Sequence, residues 1–253
     1  MKKILCLFSA LSIVLMSSCS SDDSSSDPND DVNSSVKPSK IIHLTSDNSP
    51  IYVREVKYDG NKIISEIDDD GFAIKYTYTG NFITKIEVFD SPTILRYTTE
   101  YTYVNGKIST QIVRPPNLTS YVETKYTHNT DGTISYEERQ IPSTLEEVVL
   151  SSGKYTYKNG NLIKAERKLK DGEDIETTLF EYDTKNNPMK NILGANLIIN
   201  GAINSSLNNL VKIDNTSYGQ TTFSYLYDSN SFPIETKRFG DNGNLEEILQ
   251  YTY

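Results

Sequence analysis

The stretch KYTYKNGNLIKAE, residues 154–166, decides how the chain is read. Tyrosines alternate with Lys and Thr up to Asn159-Gly160, and Leu162 follows. Asn-Gly between alternating segments is a strong hairpin signal, because both residues can take positive φ. With a turn over 158–161, Tyr157 and Leu162 stand opposite each other on one face. Such an aromatic–aliphatic pair contributes about 0.2–1 kcal/mol. One pair is weak; a row of them makes a continuous apolar stripe.

The unit recurs as YDGNKI (58–63), YTGNFI (78–83), YVNGKI (103–108) and YDSNSF (227–232). A looser copy, HNTDGTI (128–134), puts His128 in the tyrosine place with one extra residue, and YDTKNNPM (182–189) keeps the tyrosine without the glycine. The glycine moves by one place between copies, so the turn type varies while the register is kept. Upstream of the turns, Ile74, Tyr76 and Tyr78, then Tyr101 and Tyr103, Tyr155 and Tyr157, and Phe223, Tyr225 and Tyr227 alternate with Thr, Lys and Glu. Period two puts these rings on one sheet face. Downstream the alternation is less clean: Ile63 and Ile67 fit it, but Ile83 is followed at the same parity by Lys85 and Glu87.

A second class of break lies between the units, at DSPT (90–93), RPPN (114–117), IPST (141–144), KDGED (170–174) and GDNGN (240–244). Tight turns at one end and Pro-containing turns at the other describe an all-β, antiparallel up-and-down meander over residues 41–253. About a dozen strands are expected. A long sheet with one apolar face curls on itself into an open or closed barrel. One segment, 186–214, breaks the rhythm. Pro188 suits a helix start, so a turn or two of helix is expected over 188–193, with the cluster from Met189 to Ile199 covering or plugging the curved sheet.

The N-terminus has a different character. Lys2 and Lys3 precede an apolar run, Ile4 to Met16, too short for a membrane span and suited to a signal peptide over 1–18. LMSSCSS places Cys19 after that run and resembles the bacterial lipobox, which implies cleavage before Cys19 and acylation of its thiol. Residues 19–40 are Ser, Asp, Asn and Pro, with too little to bury to fold, and read as a tether. Ser20, Ser21, Asp22 and Asp23 look like the serine/acidic signal of surface-exported Bacteroidetes lipoproteins. Cys6 leaves with the signal, so disulfides and thiolate metal sites are unavailable. The formal charge of −9 excludes an electrostatic footprint for nucleic acid.

The Tyr–turn–aliphatic unit is similar to the YD repeats of RHS proteins. The lipobox, the acidic tether, the repeats and the interruption from YDTKNNP (182–188) to SLNN (206–209) together look like a family of uncharacterised Bacteroidetes lipoproteins with a porin-like β fold. That resemblance implies a fold and an address, an outer-membrane lipid anchor on the cell surface or the periplasmic face, and no activity. A porin is not implied, because the face opposite the tyrosines is Thr, Lys and Glu.

Chemistry finds few candidates. The chain has two histidines, His43 and His128, with no serine elbow beside them, and zinc lacks ligands. Asp68-Asp69-Asp70-Gly71 and Asp171-Gly172-Glu173-Asp174 lack EF-hand spacing. No cofactor is expected. The expectation is a non-enzymatic, lipid-anchored binding or structural protein. The alternatives are a glycan or lipid binder using the interior or mouth of the sheet, with Tyr76, Tyr78, Tyr101, Tyr103, Tyr155, Tyr157, Tyr225 and Tyr227 as its face, and third a hydrolase.

Overall fold

A computed structural model describes residues 36–142, 146–172, 174–199 and 206–253. Cys19 and the export-signal residues Ser20 to Asp23 lie outside the described residues. Sixteen strands run through the described chain, more than the dozen expected from turn spacing. They are β1 (Lys40–Thr45), β2 (Pro50–Asp59), β3 (Lys62–Asp68), β4 (Ala73–Thr79), β5 (Phe82–Ser91), β6 (Ile94–Val104), β7 (Lys107–Arg114) and β8 (Tyr121–His128). The second half continues with β9 (Ile134–Ile141), β10 (Val148–Lys158), β11 (Asn161–Leu169), β12 (Ile175–Asn186), β13 (Asn208–Asn215), β14 (Gly219–Tyr227), β15 (Pro233–Phe239) and β16 (Leu245–Thr252). Each strand pairs antiparallel with its sequence neighbours, and β16 pairs with β1, so the meander closes into a barrel. Closure removes the sheet edges that an open meander would expose.

The turn residues do what their chemistry dictates. Gly60 and Gly80 alone carry positive φ in their two-residue turns, whereas Asn105-Gly106 and Asn159-Gly160 carry it at both positions. These are the φ signs of II′ and I′ hairpins, and both turns set the tyrosine opposite the aliphatic residue: Tyr58 faces Ile63, Tyr78 Ile83, Tyr103 Ile108 and Tyr157 Leu162. Tyr227 departs from this and faces Pro233 rather than Phe232.

The disturbed alternation downstream of the turns has a single cause, which also turns Ile67 outward, away from the face of Ile63 on which the sequence pattern placed it. The register slips by one residue just past the residue that faces the tyrosine, skipping Ile64, Thr84, Ser109, Ile163 and Ile234. A bulge of this kind flips the parity of the strand beyond it. Ile83 is therefore followed inward by Ile86 and Val88, while Lys85 and Glu87 point out. The looser sixth copy has no bulge: its extra turn residue takes the bulge's place, and Tyr126 still faces Tyr136.

A bulge leaves backbone groups without ladder partners, and the next ring in the column supplies one. The Tyr103 hydroxyl donates to the Ile83 carbonyl at 2.8 Å, Tyr253 to Pro233 at 2.8 Å, and the Ile63 N–H donates to Tyr78 at 3.2 Å. His128 Nε2 lies 2.8 Å from the Ile108 carbonyl. His128 thus holds the tyrosine's place in the column, with the hydrogen bond intact. His128→Tyr should leave urea stability within about 0.5 kcal/mol of wild type. His128→Phe should cost about 1 kcal/mol, because the carbonyl loses its donor.

The interruption is shorter than its sequence limits suggested, since 208–214 belongs to β13. Residues 187–207 connect β12 to β13 at the tight-turn end. No helix forms over 188–193, which is a succession of turns; the only helix among the described residues is a three-residue 3-10 turn, Ala195–Leu197. Gly194, at φ 77°, explains this: its Cα sits against the β4–β5 turn, where a Cβ would come 2.9 Å from the Asn81 carbonyl. Ile192 and Ala195 pack with Val56 and Ile63, and Ile198 with Ile83 and Ile108. Asparagines satisfy the irregular backbone. Asn187 accepts from the Met189 N–H at 2.8 Å, and Asn161 accepts from Leu207 and Asn208 at 2.9 and 3.2 Å. The described parts of the segment, 187–199 and 206–207, form a plug across one end of the barrel.

Candidate functional site

Inside the barrel, between the plug and the far end, lies a half-enclosed cavity of about 690 Å³. Asn187, Pro188 and Met189 of the plug form part of its lining. Among the described residues of the far-end turns, backbone hydrogen bonds stay within a hairpin or reach an adjacent one, as Asp69 N–H to Val53 O does. The size matches small-molecule pockets, about 300–1,000 Å³.

The wall has three chemistries. Ile74, Ile86, Val88 and Val113 on one side and Ile41, Leu210, Ile213 and Leu249 on the other supply hydrocarbon. Tyr76, Tyr97, Tyr101, Phe223, Tyr225 and Tyr251 supply rings. Arg54, Glu66, Arg238 and Glu247 supply charge. The charges are matched inside the protein. Arg54 holds Asp68 through Nε and Nη2, at 2.6 and 2.9 Å, and Glu66 through Nη1, at 3.1 Å. Tyr76 donates to the other Glu66 oxygen at 2.5 Å. Arg238 binds Glu247 at 2.9 Å and Glu246 at 2.8 Å, and His43 Nε2 meets the second Glu247 oxygen at 2.9 Å.

This bonding decides what the carboxylates can do. Glu66 and Asp68 are close, as a glycosidase pair would be, but all four oxygens already accept hydrogen bonds from Arg54 or Tyr76. Neither is poised as a free base or nucleophile. The Arg54 guanidinium is held protonated even more firmly than usual: burial works against the charge, but the hydrogen bond to Asp68 and the nearby Glu66 outweigh it. Among the described residues, no group of three or more His, Cys, Asp or Glu could hold a metal ion.

The eight tyrosines proposed as a ligand face all point into the barrel, but not to one place. Tyr76, Tyr101 and Tyr225 line the cavity. Tyr78 is tied under the plug, donating to the Leu193 carbonyl at 3.0 Å, and Tyr103 is tied to Ile83. Tyr155 stacks on Tyr136 at 4.9 Å, and Tyr157 packs beside Leu162 and Leu210. Tyr227 donates to Asp183. Tyr97, Tyr251, Thr99, Gln111 and the charged residues complete the lining. Tyr97 was missed, although it shares its strand parity with Tyr101; Gln111 was hidden, because the bulge reverses parity between Ile108 and it.

Burial pushes the phenols of Tyr78, Tyr103, Tyr182 and Tyr251 up to about 12. The unfolded chain ionises near 10, so above that pH it releases protons the folded barrel retains. The stabilisation is complete below pH ~10 and is lost as pH rises towards 12. Alkaline titration followed at the phenolate band should therefore show a late fraction whose appearance coincides with unfolding.

No protein-family model matches the chain, and no curated protein matches it. Solved structures do. The barrel is similar to a porin-like protein from Bacteroides vulgatus, with a TM-score of 0.56 at 16% identity over 86% of this chain and 98% of that one. A porin-like protein from Bacteroides uniformis gives 0.50 at 15% identity over 86% and 97%. At such identities the likeness is one of fold, and the fold is the closed, up-and-down porin-like barrel.

Proposed function

We propose that this is a non-enzymatic envelope lipoprotein, anchored through Cys19, whose barrel stands in water and binds a small ligand in its lumen. The observation that carries the reading is the half-enclosed cavity of about 690 Å³, walled by hydrocarbon and rings on a plugged barrel. A packed tyrosine face without that space would have favoured a purely structural part.

The outer surface supports a barrel in water rather than in lipid. Same-strand pairs project outward at mid-strand: Lys85 with Glu87 at 2.7 Å, Lys164 with Glu166 at 2.8 Å and Lys237 with Glu235 at 3.2 Å. A basic residue facing lipid at mid-bilayer costs about 2–4 kcal/mol, so a ring of them is incompatible with an apolar band. Membrane attachment then falls to the acylated cysteine. Cys19→Ala should move the protein from the membrane to the soluble fraction, and continued membrane association would contradict the anchor.

The lumen is tested with N-phenyl-1-naphthylamine, an uncharged probe that brightens in apolar surroundings. The mature protein should enhance its emission at one probe per barrel. Val113→Trp, which fills the cavity, should abolish the enhancement. Emission unchanged by the wild-type protein would remove the binding reading.

A further inference from the structure

We infer that the lumen is built for an uncharged amphiphile: a hydrocarbon chain or ring system carrying hydroxyl or carbonyl groups and no net charge. This rests on the lumen reading above and adds the ligand's chemical class.

The inference comes from which polar groups in the wall are already engaged. All four charged residues of the lining lie in ion pairs within the protein, Arg54 with Glu66 and Asp68 and Arg238 with Glu246 and Glu247. A charged ligand would either enter without a partner or break one of these pairs. Both are costly where water is scarce, because a buried ion without a counter-ion is strongly disfavoured.

The uncharged polar groups behave in the opposite way. Tyr97, Thr99 and Tyr101 follow one another along the inner face of β6, and Gln111 pairs with Tyr101 from β7. Thr99 and Tyr101 are each only 5% exposed. Yet the hydroxyls of Tyr97, Thr99 and Tyr101 have no hydrogen-bond partner among the described residues, and Gln111 uses only its carbonyl oxygen, accepting from Tyr126 at 3.1 Å. These atoms open onto the cavity, where water or a ligand can meet them; the sealed side-chain atoms without a partner among the described residues are His43 Nδ1 and Ser151 Oγ, outside this group. Four neighbouring uncharged groups facing one cavity, two of them on residues almost wholly buried, mark where a ligand's own hydroxyl or carbonyl belongs. The rings of Tyr225 and Phe223 and the aliphatic residues around them supply the place for the hydrocarbon part.

A bare sugar fits less well. It would satisfy the β6–β7 groups but leave the aliphatic walls against water or against hydroxyls. A pure alkane would do the reverse.

The test displaces N-phenyl-1-naphthylamine from the mature protein with monolauroylglycerol, dodecanoate, dodecylamine or maltose, each below its aggregation limit. Monolauroylglycerol should displace the probe at least about tenfold more tightly than either charged compound of the same chain length, and maltose should not displace it. The double variant Thr99→Val/Tyr101→Phe keeps the shape of the wall. Its affinity for monolauroylglycerol should fall about tenfold relative to its affinity for the probe. Equal or tighter displacement by dodecanoate or dodecylamine, displacement by maltose, or an unaffected double variant would each overturn the ligand class while the lumen reading stands. A probe that never binds would overturn the lumen reading itself.

Discussion

Replacing Arg54 with methionine should lower the free energy of unfolding by about 3–5 kcal/mol, measured by urea denaturation. The side chain lies inside the barrel, and its three bonded nitrogens all face carboxylates. Glu66 is 6% exposed and Asp68 is 5% exposed, so methionine strands two buried negative charges side by side. The size of the effect is the penalty of that stranding, and not the worth of the pair. Two companion variants separate the causes. Arg54→Lys keeps the charge but not the planar fork that grips both oxygens of Asp68, and should cost a smaller ~1.5–3 kcal/mol. Arg54→Met combined with Glu66→Gln and Asp68→Asn removes the charges together and should recover much of the loss. If the single and triple variants are equally unstable, packing rather than charge explains the result.

Gly153→Ala should be nearly as damaging, at about 3 kcal/mol. Gly153 stands on β10 in the inward column, where the hairpins of Tyr58, Tyr78, Tyr103 and Tyr227 carry Arg54, Ile74, Thr99 and Phe223, and Tyr136 from β9 occupies the space a side chain would need. A Cβ would lie 2.7 Å from Tyr136 Cε1 and would also collide with the Glu166 carbonyl. The ring cannot withdraw easily, because it stacks on Tyr155 at 4.9 Å. Adding Tyr136→Leu should return only part of the stability, since the collision with the backbone carbonyl remains. Thermal unfolding of the single and double variants checks both steps.

The hairpin units made most of this barrel legible, for a physical reason. Asn-Gly turns and the Tyr157–Leu162 spacing are local instructions, readable over six residues and repeated along the chain. Three things escaped that local reading. The bulges did, because a skipped residue such as Thr84 has no sequence mark other than the parity break after it. The strand count did, because β1 and β13 have no tyrosine–turn unit to announce them. The plug's conformation did, because Pro188 at a favourable helix position was overruled by Gly194 packing against Asn81. The site was legible only as a face. Parity placed eight rings inside, but which of them meet open space depends on how the plug and the stacked Tyr136–Tyr155 pair fill the rest. Nothing in the sequence marks Arg54 and Glu66 as a buried pair, and Asp68 belongs to an acidic run at an expected turn; the bulge at Ile64 turns Glu66 and Asp68 inward to meet Arg54.

A repeat of this kind has no internal reason to stop at a given number. Every strand pairs only with its two neighbours, so one more hairpin would extend the ring as readily as the last one did. The plug is the exception. It touches the β2–β3 and β4–β5 hairpins through Asn61 and Asn81, reaches Ile108 on β7, and is tied at its other end to Asn161 on β11. A segment of fixed length that must meet distant points on the rim acts as a gauge of circumference. Duplicating or deleting a hairpin would leave it too short or too crowded, so the plug is what makes this array count.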